Sequence, residues 1–570
     1  MSFRLGLAAV LAATALAAPA AAQAAPTVGG LMPISSRSPF PADGCGVPGE
    51  RNPDTEGEPS LAVNPRDPRN LIAVWQQDRF TIDGGALSDV VGVSKDGGRT
   101  WKQVLLPGMS RCTGGADERT SDPWVSFGPD GRAYLSVLTF TEHKEFEGKA
   151  GPTAQRVTTS TDGGLTWSQP ATIVNDNVYD DREAVTADPT RPGSAYIVWV
   201  RRLGAECEQG VEYFSDTSDG GKTWSAPRAI TTLTSGTLPD PGLIKVFPDG
   251  TLLNVYVLAN LTPFLPAGLP RKPWDIMASR STDGGKTWSG AVKVASIDPP
   301  SAPQDPDSGA VIRAYNMASL DIAPDGTAYV AWNVISSMDS SQILFSKSID
   351  GGRSWAAPAP VANVASQAFI PSLAVGGDGT VGVYWDDLRN DRRGDGQLTT
   401  DVFYALSKDG GASWRQSHLA GSFDTLTAPP TDSTSVAGRF LGDYQAVAGL
   451  PDGTIATLFA QAKPQATAGG TDVFFARIGE SRPTPVRKLR LTLSVRPKRV
   501  RAGAGRRYRC VVRAGGKPLV GAKVKFAGLT HRTNARGIAR FRVNLRRSGS
   551  FRVRALARGY VGTSATVRAR

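Results

Sequence analysis

Along most of this chain short apolar runs alternate with clusters of Pro, Asp and Gly. The clearest cases are SLAVNPRDPRNLIAVW (60–75), WVSFGPDGRAYLSV (124–137), AVTADPTRPGSAYIVWV (184–200), LIKVFPDGTLLNVYV (243–257), SLDIAPDGTAYVAW (319–332), SLAVGGDGTVGVYW (372–385) and AVAGLPDGTIATLF (446–459). An apolar strand, a turn rich in residues that tolerate positive φ, and a second apolar strand make a β-hairpin. Seven hairpins without an intervening helical periodicity predict an all-β chain.

A second pattern interleaves with the first. SKDGGRTW (94–101), STDGGLTW (160–167), TSDGGKTW (217–224), STDGGKTW (281–288), SIDGGRSW (348–355) and SKDGGASW (407–414) start 66, 57, 64, 67 and 59 residues apart. A period near 60 marks a repeat array. Each box follows a β-rich run, which puts it in the turn between a third and a fourth strand. There its Ser and Asp can accept hydrogen bonds from turn amides and its glycines permit positive φ. Asp96, Asp162, Asp219, Asp283, Asp350 and Asp409 are therefore read as structural staples.

Hairpin, third strand, boxed turn and fourth strand make a four-stranded blade, and blades repeated around a ring protect their edges. The reading is a β-propeller of seven blades, with six as the alternative. The last repeat ends at TDVFFARI (471–478) without a box, so Thr27–Ser36 is expected to supply its missing strand.

Composition agrees: 63 Gly and 41 Pro in 570 residues fit a turn-rich chain and exclude a coiled coil. The net charge of +12 hides a division. Residues 481–570 hold 26 Lys and Arg and no acidic residue, which leaves 38 basic and 52 acidic residues before them. An acidic body thus precedes a basic module that alternates with a two-residue period, as in Ala522-Lys523-Val524-Lys525-Phe526. A cationic face of this kind suits an anionic cell-envelope polymer. Nucleic acid is disfavoured, because Tyr508, Phe526, Phe541, Phe551 and Tyr560 are too few to form a base-stacking platform.

The first residues, MSFRLGLAAVLAATALAAPAAAQA, have the charged start, short apolar run and small-residue end of a secretory signal peptide. The resulting organisation is a signal peptide at 1–24, a propeller at 25–480, a linker at 481–488 and a basic β-sandwich at 489–570, secreted or held at the envelope, with no transmembrane anchor and as a monomer. Cys45 and Cys112 precede the first and second blades on the same face and are expected to form a disulfide, which export permits. Cys207 is expected to be solitary. No metal or cofactor is expected; Asp386, Asp387, Asp391 and Asp395 could face Ca²⁺ but lack the ligand order of an EF-hand.

The SxDxGxTW motif is the Asp box, or BNR repeat, and residues 40–480 resemble the sialidase-superfamily propellers that carry it. The tail, above all Gly516–Ala522, resembles bacterial Ig-like or carboxypeptidase-regulatory-like domains. The first resemblance implies a glycoside hydrolase with arginines on a substrate carboxylate, a Tyr–Glu pair as nucleophile and an Asp as acid or base. Strand order places such a pocket opposite the boxes, where the chain enters first strands and leaves second ones. Those loops offer Arg79, Arg119, Arg182, Arg389 and Arg439 as clamps for an acidic glycan, since Arg binds carboxylate in a bidentate fashion. They offer Tyr444 or Tyr179 as hydroxyl, and Asp122, Glu183, Asp443 or Asp386 as carboxylates, of which Tyr444, Asp443, Glu183 and Asp122 form the expected catalytic set. The same residues also fit inter-blade ion pairs. A noncatalytic glycan- or protein-binding propeller on the envelope is the alternative function.

Overall fold

The computed structural model describes residues 26–82, 84–141, 153–203, 209–234, 236–260, 273–297, 302–314, 317–431, 438–467, 469–480, 490–557, 560 and 562–570. The expected signal peptide and linker lie outside these residues, as does Cys207. The chain divides into two units, Met1–Glu480 and Ser481–Arg570.

In the first unit every hairpin read from the sequence opens a set of four antiparallel strands, and the first two sets are joined at Ala86 and Thr120 into one eight-stranded sheet. The first sheet runs Glu56–Val63, Leu71–Arg79, Ala86–Ser94 and Lys102–Leu105. Later sheets open with Arg119–Phe127, Asp180–Ala187, Thr237–Val246, Ser319–Ile322, Ala368–Val375 and Ala446–Gly449. These opening strands touch one another in chain order, and Ala446–Gly449 touches Glu56–Val63, so the contacts close a circle and make the unit a β-propeller. The last sheet is completed by Pro26–Pro33, antiparallel to Thr471–Glu480 with Pro26 opposite Glu480. The segment expected to close the ring is the one that pairs there.

Large apolar side chains of the second strands fill the layers between sheets: Trp75, Trp199, Trp332 and Trp385 are fully buried. The boxes fix how neighbouring sheets meet. In the second box Asp162 accepts from the Leu165 N–H (2.9 Å), the Thr166 N–H (3.0 Å) and the Thr166 hydroxyl (2.6 Å), while Trp167 Nε1 donates to the Gly164 carbonyl at 3.0 Å. The second glycine of each box has positive φ and no room for a Cβ. At Gly98 that atom would lie 2.2 Å from Phe475 of the last sheet, and at Gly285 it would lie 2.4 Å from Phe214 of the third. Each box therefore seats its sheet on the preceding one, and the first box seats on the last sheet.

The hydroxyl and N–H of Thr100, Thr223 and Ser413 hold Asp96, Asp219 and Asp409 down to about 2. A depressed carboxyl adds stability that is complete above the unfolded value of about 4 and is lost as pH falls through the folded value. Asp219→Asn should lower the melting temperature at neutral pH, and wild type should lose that increment between about pH 4 and 2; calorimetry checks both. An unchanged neutral melting temperature would mean that the box carboxylate is dispensable.

The second unit contains two sheets. Leu491–Arg496, Gly505–Ala514, Lys517–Pro518 and Ile538–Asn544 form one, and Arg499–Val500, Lys523–Phe526, Leu529–Arg532, Gly549–Leu556 and Thr563–Ala569 form the other. Both contribute to one core that holds Tyr508, Phe526, Phe541 and Cys510. Among the described residues no helix is long and apolar enough to cross a membrane.

Candidate active site

Five of the opening strands share a defect. Their antiparallel register slips between Gly57 and Ser60, Ser121 and Trp124, Asp181 and Ala184, Asp240 and Leu243, and Phe369 and Ser372, so two residues face one on the partner strand. This is a β-bulge, which re-aims a side chain. Four of the bulges carry a non-glycine residue at positive φ: Glu58 (50°), Asp122 (53°), Arg182 (55°) and Ile370 (49°). Such a conformation costs on the order of 1 kcal/mol or more for an L-residue and tends to persist where the fold uses it. Pro59, Pro123 and Pro371 follow three of them, at positions where no ladder N–H is needed.

The bulges bring their side chains together at the end of the ring opposite the boxes. Glu58, Asp122, Trp124, Arg182, Glu183, Ala184, Leu243, Met317, Asp443 and Tyr444 line a pocket of about 320 Å³ with its open mouth counted. Ile370 lines an adjoining hollow with Pro371 and Gln445. Tyr444 and Met317 stand just before the last and fifth opening strands, whereas the bulge residues lie inside theirs.

Electrostatics divide the acids of the pocket into distinct states. Glu183 is buried, and neither of its carboxyl oxygens accepts a hydrogen bond from another of the described residues. Burial and then the neighbouring Asp122 push it well above the usual carboxylate range, which favours its protonated form. Asp122 is pushed up to about 6 by burial and Asp181, against a 2.7 Å hydrogen bond from the Ser121 hydroxyl. Burial followed by Asp122 and Asp443 raises Glu58, whose carboxylate accepts from Gln76 Nε2. Burial and Glu58 raise Tyr444, whose hydroxyl donates to the Pro123 carbonyl at 3.3 Å. The Tyr444 ring packs edge-on against Trp124 at 5.3 Å, and Trp124 lines the pocket.

The arginines are held by carboxylates of the chain itself. Arg182 reaches Asp240 (3.1 Å) and Asp443 (3.3 Å), and Arg313 reaches the same oxygen of Asp443 at 3.2 Å. Arg79 lies 3.9 Å from Glu58 and over the Phe440 ring.

Of the residues singled out in the sequence, Tyr444, Asp443, Glu183, Asp122 and Arg182 line this pocket. Arg79 is buried behind it. Three other expected clamps are elsewhere. Arg119 lies over Phe80 and donates to the carbonyls of Ile82, Gly84 and Pro48. Arg389 is held by Asp387 over Phe403, and Arg439 donates to the Ala428 carbonyl. Each is occupied by carbonyls, a carboxylate or a ring of this chain, which for Arg119 belong to the loops of the first sheet. Asp386 binds the Tyr384 hydroxyl and, like Tyr179, is absent from the pocket lining. Asp387 of the acidic loop is neutralised by Arg389. Trp124 and Met317 were not singled out in the sequence. The signal for Trp124 is the motif at the bulges, seen in Glu58-Pro59-Ser60, Asp122-Pro123-Trp124 and Ile370-Pro371-Ser372; Met317 has none.

The fold and its pocket make this a β-propeller with a carboxyl-rich pocket at the end of the ring opposite the boxes. A sialidase from Micromonospora viridifaciens is 28% identical to it over 403 residues, which is 64% of this chain and 57% of that protein. The chain thus spans just over half the length of that curated relative. No family model matches. Similar solved structures include a Hadza microbial sialidase (14% identity, 71% of this chain and 73% of that one, TM-score 0.39) and the sialidase of Trypanosoma rangeli (13% identity, 66% and 56%, TM-score 0.38). An α-L-arabinanase of Penicillium chrysogenum is similar at 15% identity over 63% of this chain and 94% of that one, with a TM-score of 0.42.

Proposed function

We propose that this protein is an exported glycoside hydrolase whose seven-bladed propeller cleaves glycans in the axial pocket. The feature that carries the reading is a pair of buried acids of unequal acidity: Glu183, raised well above the usual carboxylate range and taking no hydrogen bond from another of the described residues, beside Asp122, raised to about 6. Glycosidic cleavage needs one carboxyl to protonate the leaving oxygen and another, ionised, to act on the opposite side. Glu183 donates the proton, Asp122 serves as the carboxylate, and Trp124 offers a flat face to the sugar ring. Residues 1–24 are removed on export.

A panel of fluorogenic glycosides, assayed with wild type and Tyr444→Phe, tests the reading. Turnover with at most a tenfold loss in the variant supports the two-carboxyl scheme, because one lost hydrogen bond costs about 1 kcal/mol. Complete loss moves the nucleophile to Tyr444. Binding without turnover leaves a noncatalytic glycan-binding propeller.

For the second unit we propose an Ig-like sandwich that holds the protein to an anionic polysaccharide of the envelope. Exposed Arg507 pairs across the sheet with Arg542, and Arg509 with both Arg540 and Arg496; in the other sheet Lys525 faces Arg554. Like charges directly opposite each other destabilise a sheet, and residues 481–570 contain no carboxylate side chain to relieve them. Tyr508, Phe526 and Phe541 are buried, which removes the rings that stacked bases would need. Reversing Arg509 and Arg540 to Glu should shift elution of the full chain from a heparin column to lower salt. Unchanged elution would assign retention to another surface.

A further inference from the structure

The sequence pointed to an acidic glycan because arginines recur around the pocket. The structure gives those arginines an internal partner. Asp443, almost fully buried, places one carboxylate oxygen 3.3 Å from Arg182 and 3.2 Å from Arg313. We infer that Asp443 occupies, from within the chain, the seat that these two guanidiniums would offer an anionic ligand, so that the pocket selects an uncharged sugar.

Its backbone is built to hold it there. Gly442 has φ 116°, and a Cβ on it would lie 2.8 Å from the Glu58 nitrogen, so the loop passes where only glycine fits. The Asp443 N–H donates to Glu58, and Gln445 Nε2 ties back to the Leu441 carbonyl at 3.0 Å. A carboxylate fixed by its loop needs no ordering to bind, so a free anion competes with it at a disadvantage.

The remaining charge points the same way. Among the described residues the lining has four carboxyls, Glu58, Asp122, Glu183 and Asp443, against one guanidinium, Arg182, which Asp240 also engages. A substrate carboxylate would further disfavour the ionised form of Asp122 that the cleavage needs, whereas a neutral ring meets Trp124 at no electrostatic cost.

This inference rests on the hydrolase reading for its substrate, but its seat is tested by binding. N-acetylneuraminate, titrated calorimetrically at fixed ionic strength, should give no measurable binding to wild type. Asp443→Ala and the near-isosteric Asp443→Asn should each bind it at least roughly tenfold more tightly, since the seat between Arg182 and Arg313 is then no longer filled by a carboxylate of the chain. Equal or weaker binding by folded variants overturns the proposal. So does wild-type turnover of any sialoside or glucuronide at or above the best neutral glycoside, an arm that needs no variant. No turnover on either panel, with the gain in the variants intact, rejects the hydrolase and keeps the seat.

Discussion

Glu183→Gln should reduce kcat by about 10²–10⁴-fold, the usual worth of a positioned general acid, while KM changes little because the amide keeps the shape of the carboxyl. The wild-type rate should rise with pH as Asp122 ionises at about 6 and fall again where Glu183 loses its proton. In the variant the falling limb should vanish. Stability supplies a second readout of opposite sign. The folded pKa of Glu183 is raised, so the folded chain holds a proton that the unfolded chain has released. That contribution is complete below the unfolded value of about 4.3 and is lost as pH rises through the folded one. The melting temperature of the variant should therefore decline less with rising pH than that of wild type. A variant with wild-type kcat and an unchanged falling limb would remove Glu183 from the chemistry.

Loss of the Cys45–Cys112 disulfide should give the largest stability change. The bond joins residues 67 apart and encloses the whole first sheet, from Glu56 to Leu105. Closing a loop of that length in the unfolded chain is worth roughly 4 kcal/mol by chain entropy, an upper figure because the unfolded state keeps some structure. Around it Arg111 reaches both the Gly46 carbonyl and Glu118, so the two loops are held by more than the bond. Cys45→Ser and Cys112→Ser should lower the denaturant midpoint equally, and the double variant should add nothing to either. A reductant should bring wild type to the same midpoint without moving the variants. A midpoint insensitive to reductant would mean that the bond does not restrain the unfolded chain.

Repeating sequence made the propeller legible. The six boxes and the hairpins before them are local signals, each fixed by turn chemistry within eight residues, and the strand missing from the last repeat pointed to the one supplied by Pro26–Pro33. The pocket was legible in part, because strand order alone says which loops face the axis. What order could not say is which side chain a bulge turns inward. Arg119 and Arg182 enter neighbouring sheets in similar sequence, yet Arg182 sits on a bulge at positive φ and lines the pocket, while Arg119 precedes the bulge of its strand and lies over Phe80. Nor does sequence show that Asp443 turns toward Arg182 of the third sheet and toward Arg313, whose strand pairs with Gly438–Phe440. That depends on closing the ring, which brings the last opening strand against the first.

The closing strand also sets an order of events. Pro26–Pro33 is the first strand of the propeller to be synthesised, and Thr471–Glu480, its partner, is the last. The early strand must wait unpaired through the making of every other sheet, and the late one presents an open edge of TDVFFARI until the two meet. Long-range pairing of this kind is slow, because the entropy of closing the chain is spent before the contact forms. The seam between the two ends is thus a pairing across nearly the whole unit, and an edge on which a competing strand from another copy could settle first.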